Sequence, residues 1–173
     1  MLLARYKRMS FLHRIVTGDE KWIYFENPKR ERSWVTAGEP PTSTTRPNRY
    51  GRKTMLCVWW DQKEYQKRQH KVILLHDNAP SHTAKPVKET IEAFSWEILS
   101  HAAYSPELAP TDYYLFASMG HALYDQHFTS YENVRKWLDD CFASKERQFF
   151  WRGIHQLPDR WKKYIASDGQ YFE

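Results

Sequence analysis

Two cysteines in 173 residues cannot build a disulfide framework, so the chain is not one of the small scaffolds that depend on cross-links. Cys57 lies inside the apolar run Met55-Leu56-Cys57-Val58-Trp59-Trp60, which predicts a reduced, buried thiol. No charge-free stretch approaches the ~20 residues that cross a bilayer, and no membrane partner is expected. The opening Met1-Leu2-Leu3-Ala4 meets Arg5, Lys7 and Arg8 too early for a secretory apolar segment. An intracellular, soluble chain is the expectation. There is no internal repeat, and no arrangement of side chains implies a covalent nucleophile.

What is present points to a folded domain. A hydrophobic share of 41% with eight Trp and eleven Tyr argues against disorder despite a mean hydropathy of −0.80. The length suits one domain with a real core. The net charge of +5 is unevenly placed. Between Asn27 and Lys53, seven basic residues (Lys29, Arg30, Arg32, Arg46, Arg49, Arg52, Lys53) face only Glu31 and Glu39, so this segment carries the whole excess. Such a stripe fits a phosphate backbone, or equally an ordinary solvated loop. Trp34 and Tyr50 bracket it, placed to stack on unpaired bases or to anchor a partner subunit. Phosphate contacts of this kind give affinity without sequence information.

Residues 1–10 read as a short basic helix or linker end. His13 to Phe25 and Thr54 to Trp60 read as strands, being β-branched and aromatic. Residues 27–53, with four prolines and two glycines, form a long loop of the kind that usually carries function. Residues 61–70 connect to Lys71–Leu75, a short apolar run expected to be buried on both faces. A helix over 84–94 with Pro86 in its first turn, a strand over 96–100, a loop at 106–111 and a helix over 113–123 follow. Thr129 with Glu132 predicts a capping box for a helix over 130–143. A last helical stretch from 145 to 164 is interrupted near Gly153 and Pro158. The order predicts an α/β domain with a small mixed sheet flanked by helices.

Three aspartates stand at the ends of these elements: Asp19 in Thr17-Gly18-Asp19-Glu20, Asp77 in His76-Asp77-Asn78-Ala79-Pro80-Ser81, and Asp112 in Ala109-Pro110-Thr111-Asp112. Taken singly, each has an ordinary explanation: a turn residue, an Asx turn and a helix N-cap. Together, three converging carboxylates could hold hard divalent cations, which take oxygen ligands. Glu20 would point to the opposite face of its strand. His76, His82 and His101 invite a zinc reading, but they lack the spacing of a closed tetrahedral set.

Residues 13–23, 53–61, 75–84, 104–113 and 166–173 resemble a mariner-family DNA transposase, and the likeness runs from about Leu2 to Glu173. It implies a ribonuclease-H-like, retroviral-integrase-like fold. It also implies cleavage at transposon ends and transfer of the freed 3′ hydroxyl to target DNA. Asp19, Asp77 and Asp112 would then be the catalytic, metal-binding carboxylates for Mg²⁺ or Mn²⁺, two ions in all, supported by His76, Asn78 and His82. The loop at 27–53 would be a clamp that reaches DNA and a second subunit, making a homodimer. A nuclear location follows from the DNA substrate.

Two departures are expected from the same likeness. The helix-turn-helix modules that precede the catalytic domain in the family are not in this sequence, which leaves residues 11–173 as that domain. Asp61-Gln62 runs straight into residues 63–69, as though some thirty residues, one strand and one helix, were deleted. Ten residues can bridge the gap, reaching up to ~33 Å. The expected cost is a weakened fold, with Ile23, Phe25, Val58, Val72 and Leu74 facing water. The alternative function is an impaired relic that binds DNA or dimerises without catalysis.

Overall fold

The computed structural model describes residues 2–28, 48, 50–62, 71–77, 79–80, 82–102 and 105–168. Four strands form one mixed sheet in the order β2-β1-β3-β4. β1 (Ile15–Tyr24) and β2 (Lys53–Asp61) pair antiparallel through nine consecutive residue pairs, Val16↔Asp61 to Tyr24↔Lys53. β3 (Ile73–Leu75) is parallel to β1 on its other side, and β4 (Glu97–Ile98) is parallel to β3. β3 is buried throughout, as its unbroken apolar run requires.

β1 places its larger apolar side chains on alternate positions. Ile15, Thr17 and Ile23 are buried on one face, while Trp22 is exposed on the other. The buried face receives the C-terminal helices: α3 (Ala117–Leu123), α4 (Tyr131–Ala143), α5 (Arg147–His155) and α6 (Leu157–Ala166). Leu115, Met119, Val134, Ile154 and Leu157 join Ile15 and Ile23 in one core. The N-terminal helix α1 (Leu2–Arg8) belongs to this body. Its Leu2, Leu3 and Tyr6 pack on the core, Trp161 of α6 meets Tyr6 and Phe11, and Arg5 pairs with Glu97 on β4.

The opposite face is only partly covered. α2 (Lys85–Ala93) lies over β3, and Leu74 is buried beneath it. No described element covers the outer face of β2, where Met55, Cys57 and Trp59 are exposed. This corrects two expectations. Ile23, Phe25, Val72 and Leu74 are buried and Val58 is half-buried, because they face the helices or α2. Cys57 is exposed rather than buried, because an apolar run on an edge strand still sends alternate side chains to solvent.

Two local expectations also shift. The N-cap of α4 is Ser130, whose Oγ accepts from the Asn133 N–H at 3.2 Å, while Thr129 instead binds the Asn133 side chain. Gly153 does not interrupt a helix but sits inside α5, with the break at Gln156 before Pro158. A Cβ at Gly153 would come within 2.8 Å of both Trp60 and Tyr114. Glycine is there because helix and sheet approach too closely for any side chain.

Candidate active site

β1 and β3 set the first two carboxylates. The parallel register runs Ile15↔Ile73 to Thr17↔Leu75, and two further residues bring Asp77 level with Asp19 on the same face. That face is the one packed by the C-terminal helices. The third carboxylate arrives from a π-helical turn, Thr111–Phe116, which opens the helix continued by α3. Thr111 is fully buried and anchors the turn: its Oγ1 accepts from Trp60 Nε1 at 3.2 Å and lies 3.3 Å from Thr17 Oγ1. One hydroxyl thus joins β1, β2 and the residue before Asp112. Sequence reasoning missed Thr17, Trp60 and Thr111. Threonine at an inward position of a strand was the available signal.

Asp19 and Asp112 lie close enough for each carboxyl to act on the other. Burial raises both pKa values, and the Asp19 charge pushes Asp112 further, to about 7, with only Lys21 opposing. The two neighbouring carboxylates resist ionising together. Asp77 is close enough to raise the pKa of both.

Asp77 itself is held differently. Its Oδ1 accepts from the Ala79 N–H at 3.0 Å and lies 2.6 Å from His82 Nδ1. Burial would raise its pKa, but these partners outweigh it and lower it. The turn after β3, closed by bonds from His82 N and Thr83 N to Ala79 O, folds His82 back over Asp77. His82 Nε2 lies 3.2 Å from Glu20 on the far face of β1. Burial would lower the His82 pKa, and the two carboxylates reverse this and raise it. Glu20 is thus a partner of His82.

His76, Asp77 and His82 have potential ligand atoms within 4.8 Å of one another, a proximity that their sequence spacing did not reveal. Both His82 nitrogens are engaged by carboxylates, which accounts for this cluster through hydrogen bonds. Among the described residues the three aspartates form no set this tight, because Asp77 leans toward His82. Their donor chemistry nevertheless fits a hard cation: three carboxylates, two of which raise each other's resistance to ionising.

Of the basic stripe, Lys29, Arg30, Arg32, Trp34, Arg46 and Arg49 lie outside the described residues, as does Asn78. Tyr50 is 97% exposed. Arg52 covers the Phe25 ring at 4.3 Å and donates to Thr129 O, and Lys53 covers Trp22 at 4.5 Å. A cavity of about 790 Å³ between α1, β4 and α6 is lined chiefly by apolar residues and by none of the three aspartates.

The family profile described as Transposase (partial DDE domain) matches residues 24–89. Mariner Mos1 transposase of Drosophila mauritiana is 58% identical over 208 aligned positions, which cover 100% of this chain and 60% of that protein. This chain supplies 173 residues, so about 35 of those 208 positions have no counterpart here. The Mos1 mariner paired-end complex with Mn superposes with a TM-score of 0.87 at 58% identity, covering 99% of this chain and 60% of that one. The catalytic domain of Mos1 transposase superposes at 0.81 with 53% identity, covering 99% of this chain and 90% of that domain. The chain spans about 60% of the whole transposase, and its fold is the RNase H-like fold of the catalytic part. On its sequence, its sheet and its helical layer, the chain belongs to the mariner transposase family.

Proposed function

We propose that this domain is a metal-dependent DNA-cleaving and strand-transferring catalytic domain acting at transposon ends. The observation that supports the reading is the placement of Asp19 and Asp77 on one face of the sheet with Asp112 at the helix start beside them, close enough that Asp19 and Asp77 both raise the Asp112 pKa. The likeness to Mos1 structures solved with Mn and with Mg supports Mg²⁺ or Mn²⁺ as the cofactor, two ions in number. Bound there, the cation would lower the pKa of a water or 3′ hydroxyl and stabilise the leaving oxygen.

The chain's own residues prepare that chemistry. Asp19 and Asp112 supply oxygens from a strand and a helix start, and Asp77 supplies the third. His82 fixes the rotamer of Asp77 through its 2.6 Å contact and is itself held by Glu20. Lys21, beside Asp112, offsets part of the negative charge. The buried Thr17–Thr111–Trp60 link keeps the helix start against the sheet. His76 and Asn78 complete the supporting set.

Residues 27–53 are proposed as the clamp, with Lys29, Arg30, Arg32, Arg46, Arg49, Arg52 and Lys53 on phosphates and Trp34 and Tyr50 as stacking or anchoring groups. Transposon-end and target DNA and a second subunit are the partners, and the nucleus the place of action. Five net contacts would give a log–log salt slope of about −4.5, so affinity should fall ~10³-fold between 50 and 300 mM salt. Filter binding to unrelated duplexes checks this, and a flat response removes the stripe from the interface.

The roughly 35 missing positions favour a second reading, in which DNA is bound but not cut. Relaxation of supercoiled plasmid at low salt with Mn²⁺, abolished by EDTA, separates the two. Salt-sensitive binding with no Mn²⁺-dependent nicks establishes the impaired form.

A further inference from the structure

Hydrogen bonds account for both nitrogens of His82, yet they leave one atom of its cluster with His76 and Asp77 unexplained. His76 is 5% exposed, and its Nε2 is buried with no hydrogen-bond partner among the described residues. Its other nitrogen, Nδ1, faces Asp77 O. A carbonyl oxygen only accepts, so Nδ1 carries the proton and the neutral ring keeps its lone pair on Nε2. A buried acceptor without a donor is costly. This one lies beside a second imidazole, the His76 and His82 ring centroids being 5.3 Å apart.

His82 is prepared in the same way. Its Nε2 lies 3.2 and 3.1 Å from the two carboxylate oxygens of Glu20, which accepts the N–H. Nδ1 then turns toward Asp77 Oδ1 at 2.6 Å, a contact that needs a proton or a metal ion between two lone pairs. Each histidine thus has one nitrogen fixed by an oxygen of the protein and the other left for a cation. A histidine that ligates a metal characteristically gives its other N–H to a backbone carbonyl or a carboxylate. One of each is present here.

We infer that His76, Asp77 and His82 form an open three-ligand site for zinc or a similar borderline cation, with a fourth position for water. One nitrogen of each ring and a carboxylate oxygen lie within 4.8 Å of one another. Tetrahedral ligands at ~2.0–2.1 Å stand ~3.3 Å apart, so closure asks for at most about 1.5 Å from the turn that carries His82. The Asp77 side chain, 45% exposed, gives the ion a way in. Two imidazoles favour zinc over Mg²⁺, which takes six oxygens. The site draws on neither Asp19 nor Asp112. Zinc held there withdraws Asp77 from those two, and only that consequence rests on the cleavage reading.

Cobalt(II) is the probe, in a Cys57→Ser, Cys141→Ser background so that no thiolate contributes. It should give the visible band of a tetrahedral ion, and zinc, but not excess Mg²⁺, should bleach it. The band should persist in Asp112→Asn and disappear in His82→Ala. Glu20→Gln leaves all three ligands in place and should weaken binding ~10–100-fold; it decides the matter if His82→Ala does not fold. No band, a band that survives His82→Ala, or unweakened binding by Glu20→Gln overturns the proposal. So does a band lost in Asp112→Asn, which places the ion among the three aspartates. An inert domain would bind cobalt equally well, so these outcomes are read independently of nicking.

Discussion

An Asp112→Asn variant is expected to lose at least about a thousandfold of Mn²⁺-dependent nicking while melting higher than the unsubstituted chain in metal-free buffer at pH 8. The first effect is the loss of an anionic ligand from a site whose chemistry is electrostatic. The second follows from the crowding of Asp19 and Asp112. Asp112 has its pKa raised to about 7 by burial and by Asp19. A carboxyl raised in the folded state stabilises fully below its unfolded pKa and loses that contribution as pH rises through about 7. Three units would cost up to ~4 kcal/mol, and partial exposure with solvent screening reduces this to ~1–2 kcal/mol. The amide cannot ionise, so the loss disappears, worth ~3–6 °C in a domain of this size. Asp77→Ala should be equally inert in the nicking assay. It should not be stabilised, because the Asp77 pKa is lowered and its ionised form contributes to stability above the unfolded pKa. Nicking at the unsubstituted rate by either variant would remove that aspartate from the site.

Trp60→Ala should bring the largest loss of stability, ~3–5 kcal/mol, a large share of the ~5–15 kcal/mol typical of a domain. Trp60 is buried, packs on Phe150 at 5.6 Å, lies against Gly153, and donates to Thr111. Urea unfolding should show the midpoint falling with the slope unchanged. Trp60→Phe keeps most of the packing and gives up the indole N–H, so it should cost only ~1–2 kcal/mol. It should also slow cleavage, since the helix start at Thr111 loses its tether. Equal midpoints for Trp60→Ala and the unsubstituted chain would show that the contact does not hold the fold.

Much of this was legible because it is local. Alternation in Ile15–Tyr24, the apolar run at Ile73–Leu75 and the turn residues around Asp77 each specify their element within a few residues, and together they place Asp19 and Asp77. What stayed hidden depends on which surface meets which. Ile23 and Met55 have similar hydropathy and similar strands; only the position of the C-terminal helices buries one and leaves the other in solvent. Gly153 looked like punctuation because a helix break and a tight helix–sheet contact both call for glycine. The cap of α4 moved from Thr129 to Ser130 because neighbouring hydroxyls compete for the same N–H. For Lys29 through Arg46 and for Arg49, the reading as a DNA or subunit clamp rests on charge and family likeness.

The π-helical winding at Thr111–Phe116 has a consequence for the lineage of such genes. Each of its rings closes over one residue more than ordinary winding does. Loss of a single codon from Tyr113 to Phe116 would let the segment relax to the commoner spiral with Asp112 close to its present direction, because five residues of ordinary winding turn through about the same angle as six of the wider kind. A gained codon has no such relief: with the wide turn already occupied, it would swing Asp112 by about 100° around the axis.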